Sequence, residues 1–170
     1  MIPPDWQHPP YAEDQPFPHL ILATHVLDRG FQAGSALGVA VGFVKSLRSE
    51  TPSLRMSAGI ITRSTGSAGL LGFCSMAILL PIRMAGKERI EWQDRSWRLL
   101  ENKGQVEVDN WSTWGMLVGI GTTTAMMRKN GMPLRGPGLT HIVGGAGLGS
   151  LAGVIGYMGW RYGVNGGHRD

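Results

Sequence analysis

Residues 139–160 read LTHIVGGAGLGSLAGVIGYMGW, and no Lys, Arg, Asp or Glu occurs anywhere from 136 to 160. A bilayer's apolar centre is crossed by about 20 consecutive apolar residues, and this stretch supplies them. Gly145, Gly149 and Gly153 recur at every fourth position, so on a helix they form one ridge. Glycine costs a water-exposed helix about 1 kcal/mol against alanine. In a membrane the same residue lets two helix backbones touch. The segment also spells G-x-G-x-x-A at Gly147, Gly149 and Ala152, after the strand-like run 139–143. A dinucleotide site of that type needs a second strand and an acidic residue about 20 positions on. Only Asp170 lies downstream, so helix contact is the stronger reading.

Three more windows lack charge: 31–44, 64–82 and 110–127. Together they place spans at about 30–47, 64–83, 111–127 and 139–160. The first repeats the ridge with Gly34, Gly38 and Gly42, the second with Ser64, Ala68 and Gly72, and the third with Gly115 and Gly119. A span such as 111–127 rises about 26 Å as a helix, slightly less than the roughly 30 Å of hydrocarbon. The expected fold is an all-α membrane protein with about four short, glycine-rich transmembrane helices in a membrane domain over 30–160. An extended Pro-rich N-terminal tail (1–29) precedes it, and a C-terminal tail (161–170) follows.

Bulk composition hides this pattern. Of 170 residues, 42% are hydrophobic, and the mean hydropathy of −0.03 is ordinary for a soluble protein. The 26 glycines are about twice the usual share of roughly 7%, and they dilute hydropathy without adding polarity. The formal charge of +4 is not a nucleic-acid signal, because the basic residues flank apolar windows instead of gathering in one patch. Cys74 is the single cysteine, so the chain has no internal disulfide, and no cysteine spacing suggests zinc.

The first residues, MIPPDWQHPPYAEDQPFPHL, are too rich in proline for a regular helix. They are also acidic, unlike a mitochondrial presequence, and they lack the basic start and apolar core of a signal peptide. Such a tail becomes ordered only by lying on something, and the expectation is a neighbouring chain. The loop 83–110 holds equal numbers of basic and acidic residues. Its Glu91/Arg95 and Asp94/Arg98 spacings, with Ile90, Trp92, Trp97, Leu99 and Leu100, suggest an amphipathic interfacial helix over about 87–103. Lys45, Arg48, Arg55 and Arg63 crowd the first loop, and Arg128, Lys129 and Arg135 the third. By the positive-inside rule both tails lie on the opposite side. Trp111, Trp114, Tyr157, Trp160 and Tyr162 stand at span ends, where amphipathic rings favour the interface.

Candidate chemistry is sparse. Of five histidines, only His141 is near a span, and at its rim, so a bis-histidine haem lacks facing ligands. Asp28 and Arg29 form an adjacent pair at the mouth of the first span. Arg63 borders the second apolar window; an intramembrane cation is a candidate functional group, although this one can snorkel to the interface. The expected roles are therefore helix packing for the glycine, serine and alanine ridges, and interfacial or lipid-headgroup contact for Arg63, Arg128, Lys129, Arg135, Trp111 and Trp160. No catalytic set, metal site or cofactor is read, and the chain is not expected to be an enzyme.

Four short spans with ridges at Gly34/Gly38/Gly42 and Gly145/Gly149/Gly153, and with both tails outside, resemble the mitochondrial inner-membrane preprotein translocase channel family. That family includes a small accessory subunit of respiratory complex I. The Pro-rich acidic start, the turn MRKNGMPLRGPG and the Trp-bearing middle loop look more like the small fungal accessory membrane subunits of NADH:ubiquinone oxidoreductase. The resemblance implies a non-catalytic subunit of the membrane arm, in the mitochondrial inner membrane with both termini in the intermembrane space. Its implied partners are other membrane subunits of a respiratory complex and phospholipids. The alternatives are a translocase or transporter component, which needs a polar cavity around Ser64 and Thr122–Thr124, and a haem or quinone anchor.

Overall fold

Proline opens the first helix. In the computed structural model, which describes residues 9–49, 53–164 and 166, α1 runs Pro18–Leu47. The expectation of an extended tail up to residue 29 is therefore corrected. Pro18 occupies the first turn, where its missing N–H costs nothing and its fixed φ suits a helix. Phe17 turns the chain into it with a left-handed φ of 51°.

Two of the other helices also outrun their charge-free windows. α2 spans Leu54–Met84, and the Ser53 hydroxyl caps the Met56 N–H at 3.2 Å. Pro81 lies in its last turn and a half. α3 covers Arg89–Glu101, α4 Lys103–Lys129 and α5 Pro137–Met158, so the run 139–143 is helical, not a strand. A 3-10 turn at Ala12–Asp14 precedes α1, and a π-helical turn at Gly159–Val164 follows α5. Among the described residues there is no strand. The 31 residues of α2 extend about 46 Å, so the helices are not short. Absence of charge marked only their middles, because charged residues in the flanking turns are either paired internally or exposed.

Among the described residues, α2 and the stretch Gly138–Val164 are the two segments long and apolar enough to cross a membrane. α1 and α4 are of comparable length but carry Asp28, Arg29 and Lys45, and Glu107, Asp109, Arg128 and Lys129.

α1 and α2 form one antiparallel hairpin, in which Gly30 lies beside Gly72, Gly38 beside Ser64 and Gly42 beside Ile61. α4 and α5 form another, with Gly115 beside Gly149 and Gly119 beside Gly145. The hairpins meet where Gly66 of α2 touches Thr140 and Gly144 of α5, and where Gly147 abuts Ser35 and Thr65. The interior is correspondingly made of small residues: Ser35, Thr65, Ser112 and Ser150 are fully buried. Many large aliphatics face outward, with Leu37 at 68%, Leu71 at 70% and Ile155 at 70% exposure, whereas Ile21 and Phe31 are buried.

α3 is amphipathic, and a reciprocal Glu88–Glu91 capping box opens it. Asp94 pairs with Arg98 at 3.0 Å as its spacing suggests, whereas Glu91 pairs with Lys87 at 2.9 Å. That Lys87 hydrogen bond, the largest influence on Glu91, holds its carboxyl below the ordinary carboxylate range. The inner face of α3 receives the tail. Trp97 Nε1 donates to the Pro9 carbonyl at 2.8 Å, Gln93 Nε2 donates to the Glu13 carbonyl at 2.5 Å, and Gln15 is buried. The His19 ring of α1 packs against Trp92 in a tilted arrangement, with ring centroids 4.4 Å apart. The described tail thus docks on its own chain, and the indoles of α3 are occupied by tail and α1. Residues 1–8 lie outside the described residues.

Candidate functional site: glycine contacts and a polar clasp

The small-residue ridges read from the sequence face one another in pairs. Gly34 abuts Ala68 and Gly69, Gly38 abuts Ser64 and Thr65, and Gly72 closes on Gly30 and Gly34. A methyl group on Gly38 would stand 2.5 Å from the Ser64 carbonyl oxygen, and one on Gly42 2.7 Å from Ile61 Cα. Both are far inside the 3.5–4.0 Å or so at which carbon atoms rest. In the second hairpin Gly115, Gly119, Gly145, Gly149 and Gly153 interlock, and a methyl on Gly153 would lie 3.0 Å from Ser112 Cα. Gly30, Gly66, Gly69, Gly144 and Gly147 make equally close approaches. Gly30 continues the Gly34/Gly38/Gly42 ridge by one step, while the other four lie off the ridges but within charge-free windows, and that was the available signal.

A polar cluster joins the first halves of α1 and α4. Asp109 accepts from His25 Nδ1 at 2.9 Å and from the Arg29 guanidinium. Arg29 Nη1 donates to Gln32 Oε1 at 2.5 Å. Gln32 Nε2 donates in turn to Asp28 at 2.7 Å and to the Ser112 hydroxyl at 2.9 Å. Gln105 lies alongside Arg29 and Asp109. Asp28 and Arg29, expected as an interfacial pair, are half-buried members of this network. The sequence reading missed Asp109 because it lay in a loop by charge, although it stands one residue before a charge-free window.

One turn further along, Tyr157 is buried and its hydroxyl donates to Glu107 at 2.7 Å, while Arg161 bonds the same hydroxyl. Trp111 stacks on Trp160 at 6.1 Å and lies 6.3 Å from the Tyr157 ring. Tyr157 is therefore an internal anchor, while Trp111 and Trp160 remain partly exposed.

At the opposite end of the bundle, Arg55 donates to Asn130 at 3.3 Å, joining the start of α2 to the end of α4. Arg128, Lys129 and Arg135 are exposed there, with the first two favourably placed at a helix C-terminus. Arg63 is exposed on α2 and, with Lys45, lines a cleft of about 510 Å³ along the α1–α2 hairpin. A second cleft of about 480 Å³ lies between the hairpins and is apolar except for Thr24 and Asp28 at its mouth. Of the threonines considered for a polar cavity, Thr122 bonds the Val118 carbonyl of its own helix at 2.9 Å, and Thr123 packs against Gly145. Among the described residues no His, Cys, Asp or Glu group of three or more converges as metal ligands would.

No family model matches this sequence, and neither a curated protein nor a solved structure is similar to it.

Proposed function

We propose that the chain is a membrane-embedded, non-catalytic accessory subunit of the membrane arm of mitochondrial NADH:ubiquinone oxidoreductase. The observation that carries the membrane part is the inverted burial pattern: serine, threonine and glycine at the helix crossings, and most leucine, valine, isoleucine and phenylalanine side chains outside, Ile21 and Phe31 excepted. Water penalises an exposed apolar surface of this extent, whereas lipid does not, and in lipid helices associate through small residues. On this reading all four long helices cross the bilayer. The charges of α1 and α4 are accommodated because Arg29, Asp109 and Gln32 satisfy one another. The cationic end around Arg55, Arg128, Lys129 and Arg135 faces the matrix, and both tails face the intermembrane space.

The assignment to complex I rests on the resemblance in the N-terminus, the Arg128–Arg135 turn and the Trp-bearing α3 segment. A helix body closed by backbone contacts is suited to holding neighbours at fixed spacing. Alkaline carbonate extraction should leave the chain in the membrane pellet, and its release into the supernatant would overturn the membrane reading. On native gels the tagged chain should migrate with complex I. Its deletion should lower the amount of assembled complex while leaving turnover per intact complex unchanged. Normal complex I with failed precursor import would favour the alternative, a component of an inner-membrane protein translocase.

A further inference from the structure

We infer that the cleft between α1 and α2 binds an anionic glycerophospholipid, with Lys45 and Arg63 holding its phosphate. This deepens the membrane reading and is independent of membership in a respiratory complex.

The cleft exists because Gly38 and Ser64 bring the two backbones into contact, leaving a groove on the outside of the hairpin. Its walls are the exposed aliphatics Leu37 and Val41 from α1 and Leu71 from α2. Its volume of about 510 Å³ falls within the range of small-molecule sites. Lys45 and Arg63 are its two charged lining residues, and neither pairs with a carboxylate among the described residues.

Depth makes Arg63 informative. Arg55, near the start of α2, is tied to Asn130 at the cationic end. Arg63 lies two turns further on, about 12 Å along the helix. An unpaired guanidinium at that depth is costly in hydrocarbon. Running its stem up the cleft towards Lys45 relieves part of that cost, and meeting an anion relieves more. A phosphodiester offers oxygens matched to the guanidinium fork, with the Lys45 ammonium as a second point charge. The Ser67 hydroxyl lines the same groove. One acyl chain then lies against Leu37, Val41 and Leu71. A choline headgroup brings its own cation towards Lys45 and Arg63 and is disfavoured, so the site selects net negative lipids.

The test uses the full chain, purified in detergent and delipidated, and titrated with phosphatidylglycerol or phosphatidylcholine in mixed micelles. Bound lipid is read by native mass spectrometry. The wild type should prefer phosphatidylglycerol by about tenfold, the scale of one charge-assisted hydrogen bond. K45Q/R63Q should reduce that preference to about twofold or less, while R89Q/R95Q, which removes equal charge from the exposed side of α3, should retain it. Leu71→Trp fills the groove and keeps both charges; it should weaken phosphatidylglycerol binding severalfold. Circular dichroism checks that each variant keeps its helix content.

An unchanged preference in K45Q/R63Q, an equal loss in both double variants, or full binding by Leu71→Trp would each overturn the site. So would sn-glycerol 3-phosphate competing as well as the lipid, since the occupant would then be a free phosphate. Because the isolated chain is used, loss of lipid preference leaves the subunit assignment standing, and absence from complex I leaves the lipid site standing.

Discussion

Gly149→Leu and Gly121→Leu make the same chemical change on neighbouring helices, and the structure gives them opposite signs. At Gly149 the first added carbon would lie 2.8 Å from the Gly115 carbonyl carbon and 3.0 Å from Gly119 Cα. The Gly115 carbonyl oxygen would lie closer still. Carbon atoms rest at about 3.5–4.0 Å, so α4 and α5 must separate by about 1 Å or more, and a gap of about 1 Å forfeits about half of each contact it opens. Overpacking costs about 1–3 kcal/mol, and leucine, with three carbons beyond the first, belongs at the upper end. Helix propensity returns about 0.8 kcal/mol, leaving a net loss of about 2 kcal/mol. At Gly121 nothing lies within 4 Å, so only the propensity gain remains, at most about 0.8 kcal/mol. The two variants should therefore differ by nearly 3 kcal/mol. The assay is SDS-induced unfolding in mixed micelles, followed by circular dichroism, with steady-state membrane levels as a second readout. Equal unfolding midpoints would refute the claim that the Gly115–Gly149 approach holds the second hairpin together.

Two further perturbations probe the rest of the molecule. Asp109→Asn removes the negative charge facing His25 and Arg29 and leaves one acceptor oxygen where they bond two, so it should cost about 2 kcal/mol, as expected when a half-buried charge loses its partner. Adding Arg29→Gln should cost much less than the sum of the two singles in a double-mutant cycle, and strict additivity would show that the pair does not act as a unit. Trp97→Phe keeps the ring but removes the bond to the Pro9 carbonyl, so chymotrypsin should cut after Tyr11 severalfold faster; an unchanged rate would mean the tail is held by other contacts.

The ridge glycines were legible because a four-residue repeat projects onto one helix face, and facing ridges are what small residues in charge-free windows allow. Helix lengths were not legible. A charge count treats Asp28, Arg29 and Asp109 as markers of water, yet each finds its partner about 80 positions away on another helix, and that pairing lets the helices run on. The same blindness hid the clasp, since no local spacing relates Gln32 to Ser112. Proline is ambiguous for a different reason: in a helix interior it is a breaker, whereas Pro18 sits in the first turn, where proline starts a helix. The docking of the tail on α3 depends on two carbonyls, Pro9 and Glu13, and backbone acceptors leave no trace in side-chain identity.

The two hairpins also imply an order of assembly. Each is closed by a short connection, 48–53 in the first and 130–136 in the second, so its glycine contacts are local and cost little loop entropy to form. Contacts between the halves, Asp109 with His25 and Arg29, and Gly66 with Gly144, bridge far longer separations and follow later. The molecule is thus two hairpins joined by the segment 85–102. Severing that segment removes the covalent tether, while the glycine crossing and the Asp109 clasp still specify how the halves find each other.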